Sequence, residues 1–346
     1  MRILVTGGYG FLASNFIRHL YTHYPTARIW NFDLVTYAGN PDNLLDIETA
    51  ENKKPDAERR YLFIKGDIAD RKFVNQIFEN NTFDYVFNFA AESHVDRSII
   101  NSENFIRTNI QGTHALLHAV RSFKTPLFIH ISTDEVYGDL LEGSADEQAH
   151  LRPSSPYSAS KAGADFLTQA YMRTYKLPAT IIRSVNNFGP YQYPEKLMPL
   201  TITNLLEGNK VPIHGTGLHI RNWIHVNDFC RALDAIWRVG HTGEIYNIGG
   251  IETSNLDVVG RIARTMNKDP QRIIEHVNDR PGQDVRYSVT DEKLKKHTGW
   301  KPQYDFNQAI AHTVQWYLDN ELWWKKIRTT KEFNEHLDLQ SKGIWF

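Results

Sequence analysis

Cysteine is almost absent from this chain. Cys230 is the single one among 346 residues, which excludes an internal disulfide and suits a reducing compartment. No surplus of charge is present either. Thirty-nine Lys and Arg stand against 40 Asp and Glu, a formal charge of −1, so nothing in the balance points to nucleic acid or an anionic membrane. No apolar run is long enough to span a bilayer. A strand pattern that starts at Arg2 leaves no room for a signal or transit peptide, and the expected location is the cytoplasm. Internal repeats and low-complexity linkers are missing as well. Two histidine pairs, His19/His23 and His114/His118, have four-residue spacing but no HExxH glutamate and no obvious third ligand. They read as solvated or core-edge histidines, and no catalytic metal is expected.

What is present is a composition ordinary for a soluble protein, 41% hydrophobic and 23% charged, on a chain long enough to bury a large core. Strand-like runs fall at Arg2–Thr6, Arg28–Phe32, Tyr61–Lys65, Asp84–Phe89, Pro126–Ser132, Ala179–Arg183 and Glu244–Ile248. Helical patterns sit between most of them, notably Gly10–Tyr24, Arg71–Glu79, Glu103–Arg121 and Pro156–Tyr175. Such alternation predicts an α/β fold, a Rossmann-like doubly wound parallel sheet. After about Arg183 the rhythm breaks. Residues 1–185 with 223–250 are expected to form the sheet domain. Residues 186–222 with 251–346 are expected to form a smaller mixed C-terminal domain for substrate. Trp323, Trp324, Trp345 and Phe346 in the tail are expected to pack on the body.

Three stretches carry chemistry. In "ILVTGGYGFLASNF", Gly7, Gly8 and Gly10 follow the first strand and precede a helix. Glycines there permit a tight turn and let backbone N–H groups approach a pyrophosphate at the helix N-terminus. A bare glycine pair is weak evidence; Asp33 at the end of the second strand strengthens it. Its carboxylate can accept both ribose hydroxyls and would repel a 2′-phosphate, which favours NAD over NADP. Ala13 stands where a third glycine is common. Asp67 and Ile68, after the third strand, are placed to meet the adenine, although Asp67 also reads as a plain loop acid.

The second stretch is "RPSSPYSASKAGADFL". Ser155 can cap a helix, Pro156 suits its first position, and Tyr157 and Lys161 then share one face. Most tyrosine–lysine pairs at this spacing are simply exposed. Beside a dinucleotide, the ammonium and an oxidised nicotinamide would lower the phenol from its usual value of about 10, making it a usable base. The third stretch is "STDEVYGDL", directly after a buried apolar run. It places Ser132, Thr133, Asp134 and Glu135 where a strand leaves the sheet, at the usual ligand edge of an α/β protein. Loop acids and helix-start acids are the dull alternative.

These stretches, with "FAAESHVDRSI", "NNFGPYQYPEKLMPL", "GLHIRNWIHVNDFCRA", "YNIGG" and "DRPGQDVRY", give the chain its resemblance. It resembles the extended short-chain dehydrogenase/reductases, and more narrowly the nucleotide-sugar 4,6-dehydratases of the dTDP-glucose type, from residue 1 to about 320. The resemblance implies C4 oxidation begun by Tyr157 and Lys161, with hydride passing to NAD. It implies that Thr133 binds the C4 oxygen, Asp134 protonates the departing C6 hydroxyl and Glu135 takes the C5 proton. Water leaves across C5–C6 and the hydride returns to C6. A pair of carboxyls in opposite protonation states is what such an elimination needs.

By the same resemblance the cofactor would be lined by Gly7, Gly10, Phe11, Leu12, Asp33, Leu34, Val35, Thr36, Asp67, Ile68, Phe89, Ala90, Ala91, Ser93, Thr108, Tyr157, Lys161 and Asn187. Ser93, Thr133, Asn186, Lys196, Leu197, Pro212, Ile213, His214, Arg221, Asn255, Asp279, Arg280, Pro281, Gly282 and Gln283 would hold the sugar nucleotide. Arg221 and Arg280 suit a diphosphate, though either alone reads as a surface arginine. A homodimer built on helices 103–121 and 156–175 is also implied. Three departures bear on the base. His214 stands where tyrosine is usual, Gln283 where histidine is common, and the 140–151 segment is short. Thymidine and uridine therefore both stay open, as do a 4-epimerase and, outside enzymes, an NAD-binding partner protein on this fold.

Overall fold

The structure, a computed structural model, describes residues 1–279 and 281–341. Arg280, Trp345 and Phe346 lie outside the described residues. Twelve strands are present among the described residues: β1 (Arg2–Thr6), β2 (Arg28–Asp33), β3 (Tyr61–Lys65), β4 (Tyr85–Asn88), β5 (Leu127–Thr133), β6 (Ala179–Ser184), β7 (Asn186–Phe188), β8 (Val211–His214), β9 (Ile220–His225), β10 (Ile245–Ile248), β11 (Ile251–Ser254) and β12 (Ile274–Val277). Seven of them form one sheet in the order β10-β6-β5-β4-β1-β2-β3, every pair parallel. Helices cover both faces, so the inner strands are buried without alternation: Ile3, Leu4 and Val5 are all fully buried, whereas edge strand β3 alternates. Strand order reverses between β1 and β4. Beyond the carboxyl ends of those two strands lies the crevice where such sheets take ligands.

The chain leaves β1 through a turn that only glycine fits. Gly7 has φ +69°, and a Cβ on it would lie 2.8 Å from both N and Cα of Ala90. Its N–H donates to Phe32 O at 2.8 Å, so the turn is pinned to β2.

The smaller body holds a three-stranded sheet, β11-β9-β7, and the β12-β8 pair. Phe188, Trp223, Val258, Tyr317 and Trp324 lie in its core. Trp324 is fully buried with its indole N–H on Tyr317 O, and Trp323 donates to Asn43 Oδ1 at 2.9 Å. Both tryptophans pack on the body. Two segments mix the bodies. Trp223 to His225 belong to β9 of the smaller sheet, and the chain rejoins the large sheet with the Val226–Val239 helix. The Glu292–Thr298 helix, for its part, places Leu294 in the core beneath the large sheet, where Trp300 joins it.

The helix expected over 103–121 differs from a plain α-helix. It runs as Glu103–Phe105, a π-helical stretch Ile106–Gly112, and Thr113–Ser122. A π stretch widens the turn and redirects side chains, commonly beside a site. Here it turns Asn109 onto the loop after β4. The Asn109 amide accepts from Glu92 N at 2.9 Å and donates to Glu92 O at 3.0 Å and Ser160 Oγ at 2.8 Å.

Candidate active site

A cavity of about 360 Å³ opens at the carboxyl edge of the large sheet and extends toward the smaller body. Every residue expected at the cofactor lines it except Val35, and so do Ser93, Thr133, Asn186, Lys196 and Leu197 of those expected at the substrate. Val35 instead sits at φ 62°, and its N–H donates to Asp33 Oδ1 at 2.7 Å. Asp33 Oδ2 accepts from Tyr9 N at 2.9 Å. Two backbone donors thus aim this buried carboxylate, while burial itself pushes its pKa upward. A cradle where a Cβ would strike the opposite backbone, followed by an anchored carboxylate acceptor, fits the pyrophosphate and ribose of a dinucleotide.

Strand β5 delivers the triplet. Thr133 is its last residue, and Asp134 opens a 3₁₀ turn, Asp134–Tyr137, that the Thr133 hydroxyl caps by accepting from Glu135 N at 3.3 Å. Glu135 lines the cavity; Asp134 lies behind the lining, 2% exposed. The Thr133 hydroxyl donates to Asp134 Oδ1 at 3.3 Å, and Asp134 Oδ2 has no hydrogen-bond partner among the described residues. Burial first, and then the Glu135 carboxylate, push the Asp134 carboxyl up to about 8, against the Thr133 hydrogen bond and the Arg221 charge. At neutral pH Asp134 holds a proton. Two adjacent acids therefore occupy unlike environments, the condition under which one of them serves as proton donor.

Tyr157 and Lys161 come from the first turns of the Pro156–Tyr175 helix, which a reciprocal Ser155–Ser158 capping box starts. Lys161 Nζ donates to Ile131 O at 2.6 Å, locking the ammonium against β5. Burial lowers Lys161 to about 8, with Asp165, one turn further along the helix, opposing it. The phenol of Tyr157 is buried at the same wall. Burial and then Glu135 push it above its ordinary value, and the Thr133 hydroxyl pulls it down. A phenol next to a carboxylate resists ionisation.

Asp134, Pro212, Ile213, His214, Arg221, Asn255, Asp279, Pro281, Gly282 and Gln283 do not line the cavity. Ile213 is buried in the smaller core, and His214 Nδ1 lies 3.0 Å from Asn278 O. Asp279 lies 3.2 Å from His219 Nε2, Asn255 N–H donates to His219 O, and Gly282 turns at φ +66°. Buried Arg221 donates to Asp284 O at 2.9 Å, and its guanidinium lies 4.4 Å from the Tyr287 ring centre. Its charge reaches Asp134. Ser132, expected at this ligand edge, and Glu92, within the Phe89–Ser93 stretch expected at the cofactor, line it too. Residues that the sequence reading missed complete the lining, notably Ser184, Tyr193, Glu195 and Trp223. Glu92 and Glu195 stood inside quoted motifs, "FAAESHVDRSI" and "YPEKLMPL". Burial pushes both acids upward.

A dinucleotide crevice that shares its wall with a helix-borne tyrosine and lysine is the working plan of the extended short-chain dehydrogenase/reductases, and fold and site together define that class. A family model described as GDP-mannose 4,6 dehydratase matches residues 4–313. A probable dTDP-glucose 4,6-dehydratase from Sinorhizobium fredii is 43% identical over 360 residues, covering 99% of this chain and 100% of the relative. Escherichia coli dTDP-glucose 4,6-dehydratase 1 is 44% identical, covering 95% and 96%. Among solved structures, DesIV, a dTDP-glucose 4,6-dehydratase from Streptomyces venezuelae with NAD and TYD bound, is similar with TM-score 0.88 at 42% identity, covering 94% of this chain and 100% of that one. A UDP-glucose 4-epimerase from Thermotoga maritima with UDP-glucose is similar with TM-score 0.84 at 26% identity, covering 93% and 100%. This chain belongs to the nucleotide-sugar 4,6-dehydratase family, beside the dTDP-glucose 4,6-dehydratases.

Proposed function

We propose that the protein dehydrates a nucleoside-diphosphate glucose, foremost dTDP-glucose, to the 4-keto-6-deoxy sugar nucleotide. The observation that supports it is the pair Asp134 and Glu135, with Asp134 kept protonated by burial beside a carboxylate neighbour. An epimerase needs a hydroxyl at this strand end but no acid pair. Gly7, Gly10, Phe11, Leu12, Asp33, Ser93 and Lys161 would hold NAD. Bound there, NAD supplies a reversible hydride acceptor.

In this reading Tyr157 removes the C4 hydroxyl proton as a phenolate, the form that Lys161 and the positive charge of a bound oxidised nicotinamide would favour against burial and Glu135. Thr133 steadies the C4 oxygen. Glu135 takes the proton from C5, acidified by the adjacent ketone. Asp134 gives its proton to the C6 hydroxyl as the C6–O bond breaks, so water departs and the electron pair of the C5–H bond closes the C5–C6 double bond. Glu135 then returns a proton to C5 as C6 would regain the hydride that left C4, and the proton taken up by Tyr157 restores Asp134 through solvent. The domain division 1–185 with 223–250 against 186–222 with 251–346, a cytoplasmic location and a homodimer belong to the same reading. Exposed Ile106, Phe166 and Tyr175 on the two flanking helical segments support the dimer.

The test is incubation with dTDP-glucose, UDP-glucose and GDP-mannose, with products read by mass spectrometry. Loss of one water from dTDP-glucose is the expected result. A product of unchanged mass points to epimerisation and overturns the reading. Loss of water from UDP-glucose alone keeps the reaction and corrects the base.

A further inference from the structure

A second constellation lies behind the cavity wall. His94, Asp96 and His336 each offer a ligand atom within 4.8 Å of the others, and they are only 5%, 2% and 5% exposed. His94 and Asp96 come from the start of the Val95–Ile100 helix, and His336 from the C-terminal Lys331–Ser341 helix. The two imidazoles meet edge to face, ring centres 4.7 Å apart. A buried imidazole ordinarily has a partner for each nitrogen. His94 Nδ1 and His336 Nε2 have no hydrogen-bond partner among the described residues.

Glu195 is a further acid at this place, 3.8 Å from His94 Nε2 and 4.0 Å from His336 Nε2, too far for hydrogen bonds. Arg97 lies 3.3 Å from Glu195 and also reaches Glu332 on the C-terminal helix at 3.1 Å. Burial holds both imidazoles well below their ordinary value, His336 at about 4, with Arg97 and Lys196 acting in the same direction and Asp96 opposing. An imidazole binds a metal through a nitrogen lone pair.

We propose that His94, Asp96 and His336 form a structural site for a divalent d-block cation of the Zn²⁺ type, which staples the C-terminal helix to the cavity wall. Two imidazoles and a carboxylate are a borderline donor set suited to Zn²⁺, whereas Ca²⁺ and Mg²⁺ call for oxygen ligands throughout. A fourth, tetrahedral position is left for water or for a shifted Glu195. Asp96, Glu195 and Glu332 offset the cationic Arg97 and Lys196, so local charge does not forbid a cation. The site touches the wall without entering the cavity. Ser93, Tyr193, Glu195 and Lys196 line the cavity, and the C-terminal helix packs Phe333 against Tyr193. Its role is therefore to hold the wall in place, separate from the chemistry of the sugar.

The experiment uses the full chain, stripped with EDTA and titrated with Zn²⁺ alone in equilibrium dialysis, with Co²⁺ as a spectroscopic substitute. One equivalent should bind and raise the melting temperature, and Co²⁺ should give the intense visible bands of a tetrahedral site. His336→Gln should weaken Zn²⁺ at least ~10-fold, and His114→Gln, in the surface pair, should leave it unchanged. His336→Cys keeps a ligand atom. It should bind Zn²⁺ again and add a thiolate-to-cobalt charge-transfer band, a readout that stands even where the glutamine variant folds poorly. No bound Zn²⁺, unchanged affinity in His336→Gln, loss in His114→Gln instead, or no new band in His336→Cys overturns the site.

Discussion

At the scale of single residues, the opposition between Asp134 and Glu135 is the sharpest feature. Asp134→Asn removes the proton donor and Glu135→Gln the acceptor, so each should slow water loss by ~10²–10⁴-fold while leaving bound dinucleotide in place. Only the glutamine variant should stop solvent deuterium entering C5, as mass spectrometry of recovered sugar would show. The Asp134 carboxyl sits at about 8, so water loss should fall as pH rises through that value, and Lys161 loses its charge over the same range. Stability follows the same sign. The folded pKa lies above the unfolded value of about 3.9, so the contribution of Asp134 is complete below about 4 and is lost as pH rises through about 8. Asp134→Asn has no such loss, and urea midpoints should favour it over the parent more at alkaline than at mildly acidic pH. The triplet was legible because it is contiguous and follows an apolar run. The proton on Asp134 was implied by the resemblance alone, because the burial that keeps it there is a tertiary property that no local pattern shows, set against the charge of Arg221 from a strand far along the chain.

At the scale of elements, regular pieces were readable and irregular ones were not. The Pro156–Tyr175 helix could be bounded from Ser155 and Pro156 because a cap and a fixed φ are local properties. The π stretch Ile106–Gly112 was invisible, since its apolar spacing also fits an α-helix. Its consequence is the clasp of Asn109 on both backbone groups of Glu92. Asn109→Ala should leave those partly buried groups without their partner and lower stability by about 1 kcal/mol. Hydrogen exchange should then quicken at the Glu92 amide and leave the β1 amides unchanged. Equal quickening at both would mean that the clasp does not act locally. The β8 segment gives the opposite lesson. Pro212, Ile213 and His214 were expected at the substrate by motif, yet pairing with β12 places Ile213 in the smaller core, which no local pattern shows.

Over the whole molecule, the seven-strand order follows from alternation of strand and helix, whereas the seam between the two bodies does not. Leu294 and Trp300 return to the first core from a segment whose neighbours serve the second. Sequence position is a poor guide once the chain has crossed over. The exposed face is the other global property. Phe166 is 58% exposed on a helix whose opposite side carries Tyr157 and Lys161. Phe166→Lys with Ile106→Lys should convert a dimer into a monomer by sedimentation at micromolar concentration, with bound dinucleotide retained. An unchanged sedimentation coefficient from a dimer would place the contact elsewhere.

The position of β10 has a consequence for the chain as it is made. This strand closes the sheet beside β6, yet the whole excursion through β7, β8 and β9 is synthesised between them. At ~5–20 residues per second, about 60 residues of translation leave the flank of β6 uncovered for roughly 3–12 s. All six β6 side chains, Ala179 to Ser184, are ones that the finished protein buries. A ribosome that pauses before Ile245 therefore presents a strand meant for burial, with one row of unpaired backbone groups ready to pair with the same strand on a neighbouring nascent chain. Codon choice between Val185 and Glu244 thus bears on the yield of native protein, although no residue there belongs to that sheet.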